Sequence, residues 1–212
     1  MAGAGRLIET AADVAEGAAW LAAAEPRFAA VLPELEPLPL RRRPGGFAAL
    51  LRAICGQQLS VASADAVWRR LEAADACRAA GIAALDDEGL RACGLSRQKI
   101  AYARALTEAD LDFDALSSMP EDEAVARLTA VKGIGRWTAE VYLMFAVGRA
   151  DVFAPGDLAL QESARMLFDL DGRPGESALR RMAVAWSPWR AVAARLLWAH
   201  YAARKAREGI GT

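Results

Sequence analysis

Hydrophobic positions along the chain recur at helical spacing and almost nowhere at the spacing of a strand. Phe47, Leu50, Leu51 and Ile54 fall at i, i+3, i+4 and i+7, on one face of a helix. Val61, Ala64, Trp68 and Leu71 repeat the stripe after a break at Gly56–Ser60. Ile100, Ala103 and Leu106 predict a further helix with Ser96 as its N-cap. Ser118-Met-Pro-Glu121 reads as a capping box, ahead of a helix carrying Val125 and Leu128. Thr138, Val141, Tyr142 and Phe145 form the next stripe. Asp157 opens a helix carrying Leu160, Ala164 and Leu167. Ser187-Pro188 is expected to cap a last helix holding Val192, Leu196 and Trp198. Alternating β-branched runs are missing, so the chain reads as all-α, with around ten helices.

Two stretches interrupt this pattern. Segment 33–46, with Pro33, Pro37, Pro39, Pro44, Gly45 and Gly46, reads as an extended connector, and 171–177 as a second loop. The middle, roughly 60–150, is expected to form one helical lobe, with 1–59 and 151–212 packing together as the other.

Composition narrows the class. At 212 residues, 54% hydrophobic and 25% charged, the chain is long enough to bury a core and is not of the disordered type. No apolar run reaches the length of a bilayer span, and Met1–Thr10 lacks the apolar core of a signal peptide, so a cytoplasmic protein is expected. Cys55, Cys77 and Cys93 make no CxxC, so neither a disulfide framework nor a zinc site is expected, and each reads as a small packed residue. His200, the only histidine, sits among apolar residues and reads as structural. The net charge of −1 argues weakly against a nucleic-acid binder, but binding needs a local positive face rather than a positive total. Arg41–Arg43, Lys132, Arg136 and Arg180–Arg181 can supply one; taken singly, each also reads as a solvated surface charge.

The most informative stretch is Leu128-Thr-Ala-Val-Lys-Gly-Ile-Gly-Arg-Trp-Thr-Ala139. One amphipathic helix runs into Gly-Ile-Gly and a second starts at once. Gly133 and Gly135 permit positive φ and close backbone approach, while Ile134 can anchor the turn in the core. Amides of the turn and of the following helix start then point outward together, an arrangement that suits a phosphate oxygen. Lys132 and Arg136 add positive charge beside it, and Thr138 lies one step further on. A lone Gly-x-Gly is no more than a tight turn between helices; here the hydrophobic frame, both glycines and the Thr-Ala that follows all agree.

The string resembles the helix-hairpin-helix motif of DNA-binding proteins. A hairpin of this type, a helix, and then Pro155-Gly156-Asp157 are together similar to the helix-hairpin-helix DNA glycosylase superfamily. Ile54-Cys-Gly-Gln-Gln-Leu-Ser-Val61 resembles the lesion-facing segment of its 3-methyladenine DNA glycosylase II family, and Ser187–Trp198 their last helix. The segments occur in the family's order within roughly residues 25–205. The resemblance implies a two-lobed fold with the active-site cleft between the lobes, and a catalytic Asp157. It implies contact with double-stranded DNA through Gln57, Gln58, Leu59, Ser60, Lys132, Gly133, Gly135, Arg136 and Thr138. Gln58 or Leu59 would fill the gap left by a flipped base.

Departures from the family pattern are informative too. The length leaves no room for the N-terminal β-rich domain of some members, so the chain resembles the compact ones. No cysteine lies beyond Cys93, which excludes the C-terminal iron–sulfur cluster of endonuclease III-type relatives. Trp137 stands where bifunctional relatives carry Lys, so no amine is there to form a Schiff base, and hydrolysis should stop at an abasic site. Val141 and Leu158 align with tyrosines of the best-known bacterial form, so its pocket aromatics are only partly present.

A glycosidic bond breaks through an oxocarbenium-like transition state, which a fixed carboxylate stabilises. Asp157 would do so and orient the attacking water. No second carboxylate has a clear general-acid assignment, Glu140 and Glu162 included. None is needed for a ring-alkylated purine such as 3-methyladenine or 7-methylguanine, which is already cationic and leaves neutral; uncharged lesions such as hypoxanthine should react more slowly. Trp137, Tyr142 and Trp198 would hold a cationic purine by stacking and cation–π attraction, although each also reads as core. Asp157 alone would read as a helix N-cap, and the two roles are compatible. No cofactor or metal is required; the hairpin carbonyls can hold a monovalent cation that bridges to phosphate. The expected partner is damaged duplex DNA, with no membrane, a monomer by default and nucleoid association in the cytoplasm. Competing readings are a glycosylase for oxidised, deaminated or mismatched bases, a non-catalytic helix-hairpin-helix DNA-binding protein, and a helical protein-interaction module.

Overall fold

A computed structural model describes residues 5–207; the first residues of the Met1–Thr10 segment lie outside it. Twelve α-helices run through the described residues: α1 (Ala11–Ala24), α2 (Pro26–Leu35), α3 (Phe47–Gly56), α4 (Val61–Ala73), α5 (Ala79–Ala84), α6 (Asp87–Ala92), α7 (Arg97–Glu108), α8 (Glu121–Thr129), α9 (Arg136–Tyr142), α10 (Leu158–Leu167), α11 (Glu176–Met182) and α12 (Arg190–Arg207). A π-helical turn, Leu143–Val147, follows α9 in the chain. Among the described residues the only β-pairing is an isolated antiparallel bridge between Leu7 and Arg149. The all-α expectation therefore holds.

The chain forms two compact units: the described residues up to Arg42 with those from Leu143 onward, and Arg43–Tyr142. The sequence had placed the middle lobe at roughly 60–150. Its start moves back because α3 packs on α4, α7 and α9, so the helix before the Gly56 break belongs with those after it. The long hydrophobic stripe of α3 (Leu50, Leu51, Ile54, Cys55) is buried there, and Leu71, Ile82, Leu90, Leu106 and Leu128 are buried in the same unit.

In the other unit α12 packs on α10, α2 and α1. An aromatic cluster fills its centre: Phe28 meets Phe168 edge-on at 5.7 Å and Trp186 at 5.3 Å, and Phe153 meets Trp186 at 5.4 Å. Such rings bury large apolar areas and gain further from edge contacts. The N-terminal segment is pinned alongside, with Ile8 N–H donating to Gly148 O at 2.6 Å and Ala150 N–H to Arg6 O at 2.9 Å.

Several local expectations change. Pro33 lies inside α2, near its end, so the connector begins after Leu35 rather than at 33. The capping box at 118–121 does not form, because the Ser118 hydroxyl turns back to Ala115 O and Pro120 takes the N-cap position. Glu121, Asp122 and Glu123 in the first turn of α8 favour its positive end instead. Ser187 does not cap α12 either; its hydroxyl donates to Asp151 Oδ2 at 2.7 Å, and the helix starts at Arg190. Val61 leaves the buried stripe of α4 and is 80% exposed at its first position, where Val67, Trp68 and Leu71 carry the burial. The second loop ends before Glu176, which already belongs to α11. Ser96 and Asp157 cap their helices as the sequence implied.

Candidate active site and nucleic-acid interface

In the middle unit the hairpin joins α8 to α9. Only its first glycine has a positive φ, +97° at Gly133; Gly135 is not in the left-handed region. A Cβ on Gly133 would strike the Tyr102 ring, whereas one on Gly135 would meet nothing within 4 Å. The two glycines thus do different jobs: Gly133 makes the turn against α7, and Gly135 keeps the outer surface of the turn open. Ile134 is buried, as expected, and its N–H closes the turn on Val131 O at 3.0 Å. The carbonyl of Gly135 receives Ala139 N–H at 3.0 Å, which starts α9. The next amides of that first turn lie outside the intrahelical ladder.

Gln57 ties the loop between α3 and α4 to this hairpin. Its Nε2 donates to Gly133 O at 2.9 Å. Gln58 follows with φ +57°, a left-handed value rare for a residue with a Cβ, and is exposed where Gln57 is half-buried. Leu59 is 40% exposed, and the Ser60 hydroxyl caps α4 by accepting from Ser63 N–H at 3.2 Å. Lys132 is exposed on the hairpin. Arg136 is committed in part to Glu140, with Nε to Oε1 at 3.0 Å. Thr138 is half-buried on α9. Trp137 is exposed on the same helix. Tyr142 is buried near Phe113, with its hydroxyl accepting from Gly46 N–H at 2.8 Å. Burial pushes that phenol above its ordinary value.

In the terminal unit Asp157 sits at the head of α10, after the turn closed by Asp157 N–H on Ala154 O at 3.0 Å. Three donors converge on its Oδ1: Ala159 N–H at 2.9 Å, Leu160 N–H at 3.1 Å and the Trp198 indole N–H at 3.2 Å. The first two are the N-cap bonds. The third comes from α12 and was not foreseen: Trp198 had been singled out as a stacking surface, but its N–H orients the carboxylate. The Trp198 ring lies 5.7 Å from Phe145, tilted by 35°. Beneath the turn, the buried Gln161 amide donates to Pro155 O at 2.8 Å. Leu158, next to Asp157, is 62% exposed.

The other titratable groups do not supply an obvious acid. Glu140 is buried against Arg136. Glu162 accepts from Arg165, which holds it below the ordinary carboxylate range. His200 is buried, with Nδ1 2.9 Å from Ser163 Oγ and Nε2 accepting from Arg204 at 3.3 Å. Cys55 and Cys93 are buried and Cys77 is half-buried; all three are free thiols, and burial pushes Cys55 up to about 12. Among the described residues no three His, Cys, Asp or Glu side chains converge as a metal-binding group, and no helix is long and apolar enough to cross a membrane.

A hairpin with one strained and one open glycine, followed by a capped aspartate after Pro-Gly, defines a class. Residues 51–189 match the family described as HhH-GPD superfamily base excision DNA repair protein, and the chain belongs to that family. Its relatives are consistent in kind. It is 32% identical to DNA-3-methyladenine glycosylase 1 of Schizosaccharomyces pombe, over 70% of this chain and 69% of that one. The solved DNA-3-methyladenine glycosidase of Bacillus halodurans superposes with a TM-score of 0.73 at 34% identity, covering 78% of this chain and 79% of its own. The Schizosaccharomyces pombe 3-methyladenine DNA glycosylase, solved in complex with abasic DNA, gives a TM-score of 0.70 at 27% identity, over 86% and 95%.

Proposed function

We propose that this chain is a monofunctional DNA glycosylase that flips an alkylated purine, of the 3-methyladenine or 7-methylguanine type, out of duplex DNA and hydrolyses its N-glycosidic bond. The observation that carries the reading is Asp157, whose Oδ1 is held by three donors at the head of α10 after a Pro-Gly turn. A carboxylate fixed in this way needs no reorganisation when positive charge develops on the sugar, which is where electrostatic catalysis gains most. Bond cleavage leaves the electron pair on the purine nitrogen and an oxocarbenium on the sugar. Asp157 faces that cation and orients the water that adds to C1′, and the water's proton passes to the carboxylate or to solvent. A purine alkylated on the ring leaves as a neutral molecule, so no acid is required of Glu140 or Glu162. Trp137 offers no amine, so the product strand stays uncut.

DNA is gripped by the hairpin amides around Gly133 and Gly135 with Lys132, Arg136 and Thr138 beside them, and by the Gln57–Ser60 loop. Gln58 and Leu59 are the residues that take the place of the flipped base. The hairpin carbonyls form an all-oxygen set suited to a hard monovalent cation. Val131 O and Gly133 O each accept a hydrogen bond and have a second lone pair, which supports this reading, and a cation there would add positive charge next to a phosphate. The protein works as a monomer on cytoplasmic, nucleoid-associated DNA.

The test is release of free base from methylated duplex DNA by the wild type and by Asp157→Asn. Asparagine can keep the N-cap, so the variant should fold and bind DNA but release no 3-methyladenine. Release of an oxidised or mismatched base, with none from methylated DNA, would transfer the assignment to the competing glycosylase class. Unchanged activity in Asp157→Asn would remove the mechanism.

A further inference from the structure

The break between α3 and α4 is a tight turn with a definite geometry. Gln57 has φ −54° and ψ 128°, Gln58 has φ +57°, and Leu59 N–H closes on Gly56 O at 3.2 Å. This pattern is that of a type II turn, whose third position favours glycine because φ is positive there. The chain places glutamine at that position instead. Strain kept where glycine would relieve it points to a side chain that is needed there.

Two side-chain bonds tie this turn to its surroundings, both within the Arg43–Tyr142 unit. Lys99 Nζ of α7 donates to Cys55 O at 2.6 Å and so holds the last turn of α3, where a cation also meets the negative end of the helix. Gln57 Nε2 donates to Gly133 O at 2.9 Å, across 76 residues of chain. Gln57 is half-buried, whereas Gln58 and Leu59 are exposed. The hairpin has other supports for its own shape: Ile134 N–H closes it on Val131 O at 3.0 Å, and the Tyr102 ring of α7 lies where a Cβ on Gly133 would be. With Gly133 fixed in that way, it is Gln57 that takes its place from the hairpin.

We propose that Gln57 is a positioning residue for base flipping, which sets the exposed pair Gln58 and Leu59 at a fixed place relative to the phosphate-gripping hairpin. The inference rests on the glycosylase reading above and deepens it: within the Gln57–Ser60 loop, Gln57 acts through its neighbours rather than on DNA. When the hairpin amides hold a phosphate, the Gln57 amide carries that register to the two residues that fill the gap left by the flipped base. A wedge already held in place loses less freedom on insertion. It therefore lowers the cost of extruding the base without adding a contact to undamaged duplex. Gly133 O can only accept, so the residue that binds it must supply a donor, and the glutamine amide does.

The experiment is single-turnover release of 7-methylguanine by wild type, Gln57→Met, the pair Gln58→Ala with Leu59→Ala, and all three substitutions together. Each is assayed on a duplex with the lesion opposite cytosine and on one with the lesion mispaired, with thermal melting and affinity for undamaged duplex measured alongside. Gln57→Met keeps the size of the side chain and loses the donor. It should stay folded, bind undamaged duplex as the wild type does, and release base from the paired duplex about fivefold more slowly, the order expected for one neutral hydrogen bond. On the mispaired duplex the defect should shrink to within about twofold, because a mismatched base costs less to extrude. Without the Gln58 and Leu59 side chains, Gln57→Met should slow release no further. Equal loss on the two duplexes, or effects that multiply when combined, would overturn the proposal and leave Gln57 a structural residue. Weaker binding to undamaged duplex in step with the rate would overturn it and make Gln57 a DNA contact, and unchanged release from the paired duplex would overturn it as well. A wild type that binds DNA and releases no alkylated base would sink the glycosylase reading and this one with it.

Discussion

The two glycines of the hairpin offer a sharp separation of stability from binding. Gly133→Ala places a methyl group against the Tyr102 side chain, with the Tyr102 Cβ itself at 2.7 Å, in a residue held at φ +97°. The left-handed backbone alone costs about 1–2 kcal/mol for a residue with a Cβ. Forcing the packed ring aside adds about 1–3 kcal/mol. The sum of about 2–5 kcal/mol is a large share of the stability of an ordinary domain. Tyr102→Ala in the same chain should recover only part of the loss, because it removes the ring but leaves both the Cβ contact and the φ penalty. Gly135→Ala meets no atom within 4 Å and needs no unusual φ, so it should unfold within about 0.5 kcal/mol of the wild type. Its methyl group instead occupies the surface where a phosphate oxygen would approach. Loss of one amide–phosphate bond, about 1.5 kcal/mol, weakens duplex affinity about tenfold. Urea denaturation gives the first quantity, and fluorescence anisotropy with an abasic-site duplex at one fixed salt concentration gives the second. Equal destabilisation by the two substitutions, or full affinity in Gly135→Ala, would refute this division of labour.

Two further outcomes follow from the terminal unit. Trp198→Phe keeps an aromatic ring on Phe145 but deletes the indole donor to Asp157 Oδ1; single-turnover release should fall about tenfold or more with duplex affinity unchanged, and an unchanged rate would show that the N-cap amides alone orient the carboxylate. His200 is held below its ordinary value by burial and then by the cations of Arg204 and Arg207, so the unfolded chain takes up its proton at a higher pH than the native one. Stability from this residue is complete above about pH 6.5 and declines as pH falls below it; thermal melting from pH 7.5 to pH 5 should show a drop that His200→Gln makes shallower, and identical slopes would refute the assignment.

What the sequence made legible was local. The hairpin string, the Ser96 cap and the Asp157 turn each lie within a few residues, where propensity and capping rules act. The expectations that failed are those where a polar side chain had a choice of partner. Ser118 and Ser187 were read as caps, but each hydroxyl found another acceptor, one of them 36 residues away in the chain. The boundary of the middle unit was missed for a related reason: a Gly-Gln-Gln-Leu-Ser break in helical periodicity marks the end of a helix and says nothing about which core that helix joins. Val61 satisfied the spacing rule but not burial, since the first residue of a helix can point away from the face its successors share.

The long-range part of the site comes from one face of α12. Ala191, Arg195 and Trp198 stand at i, i+4 and i+7 and so share a stripe. Ala191 N–H, one of the helix's unpaired first amides, is satisfied by Ala150 O at 2.9 Å in the loop that leads to Asp157. Arg195 holds Leu40 O, and Trp198 holds Asp157 itself. A single rigid helix therefore fixes three segments distant in sequence, and a rotation of α12 would disturb the carboxylate and the Arg41 backbone together. Hydrophobic periodicity cannot report this, because it counts only the apolar members of a helix. One sign was nevertheless present in the sequence. Arg195 is a charge whose helical neighbours at three and four positions, Ala191, Val192, Trp198 and Ala199, are all apolar. A guanidinium on such a face must either snorkel to solvent or be held by buried acceptors. Here the helix face is closed over it, and the carbonyl of Leu40 is its partner at 2.9 Å.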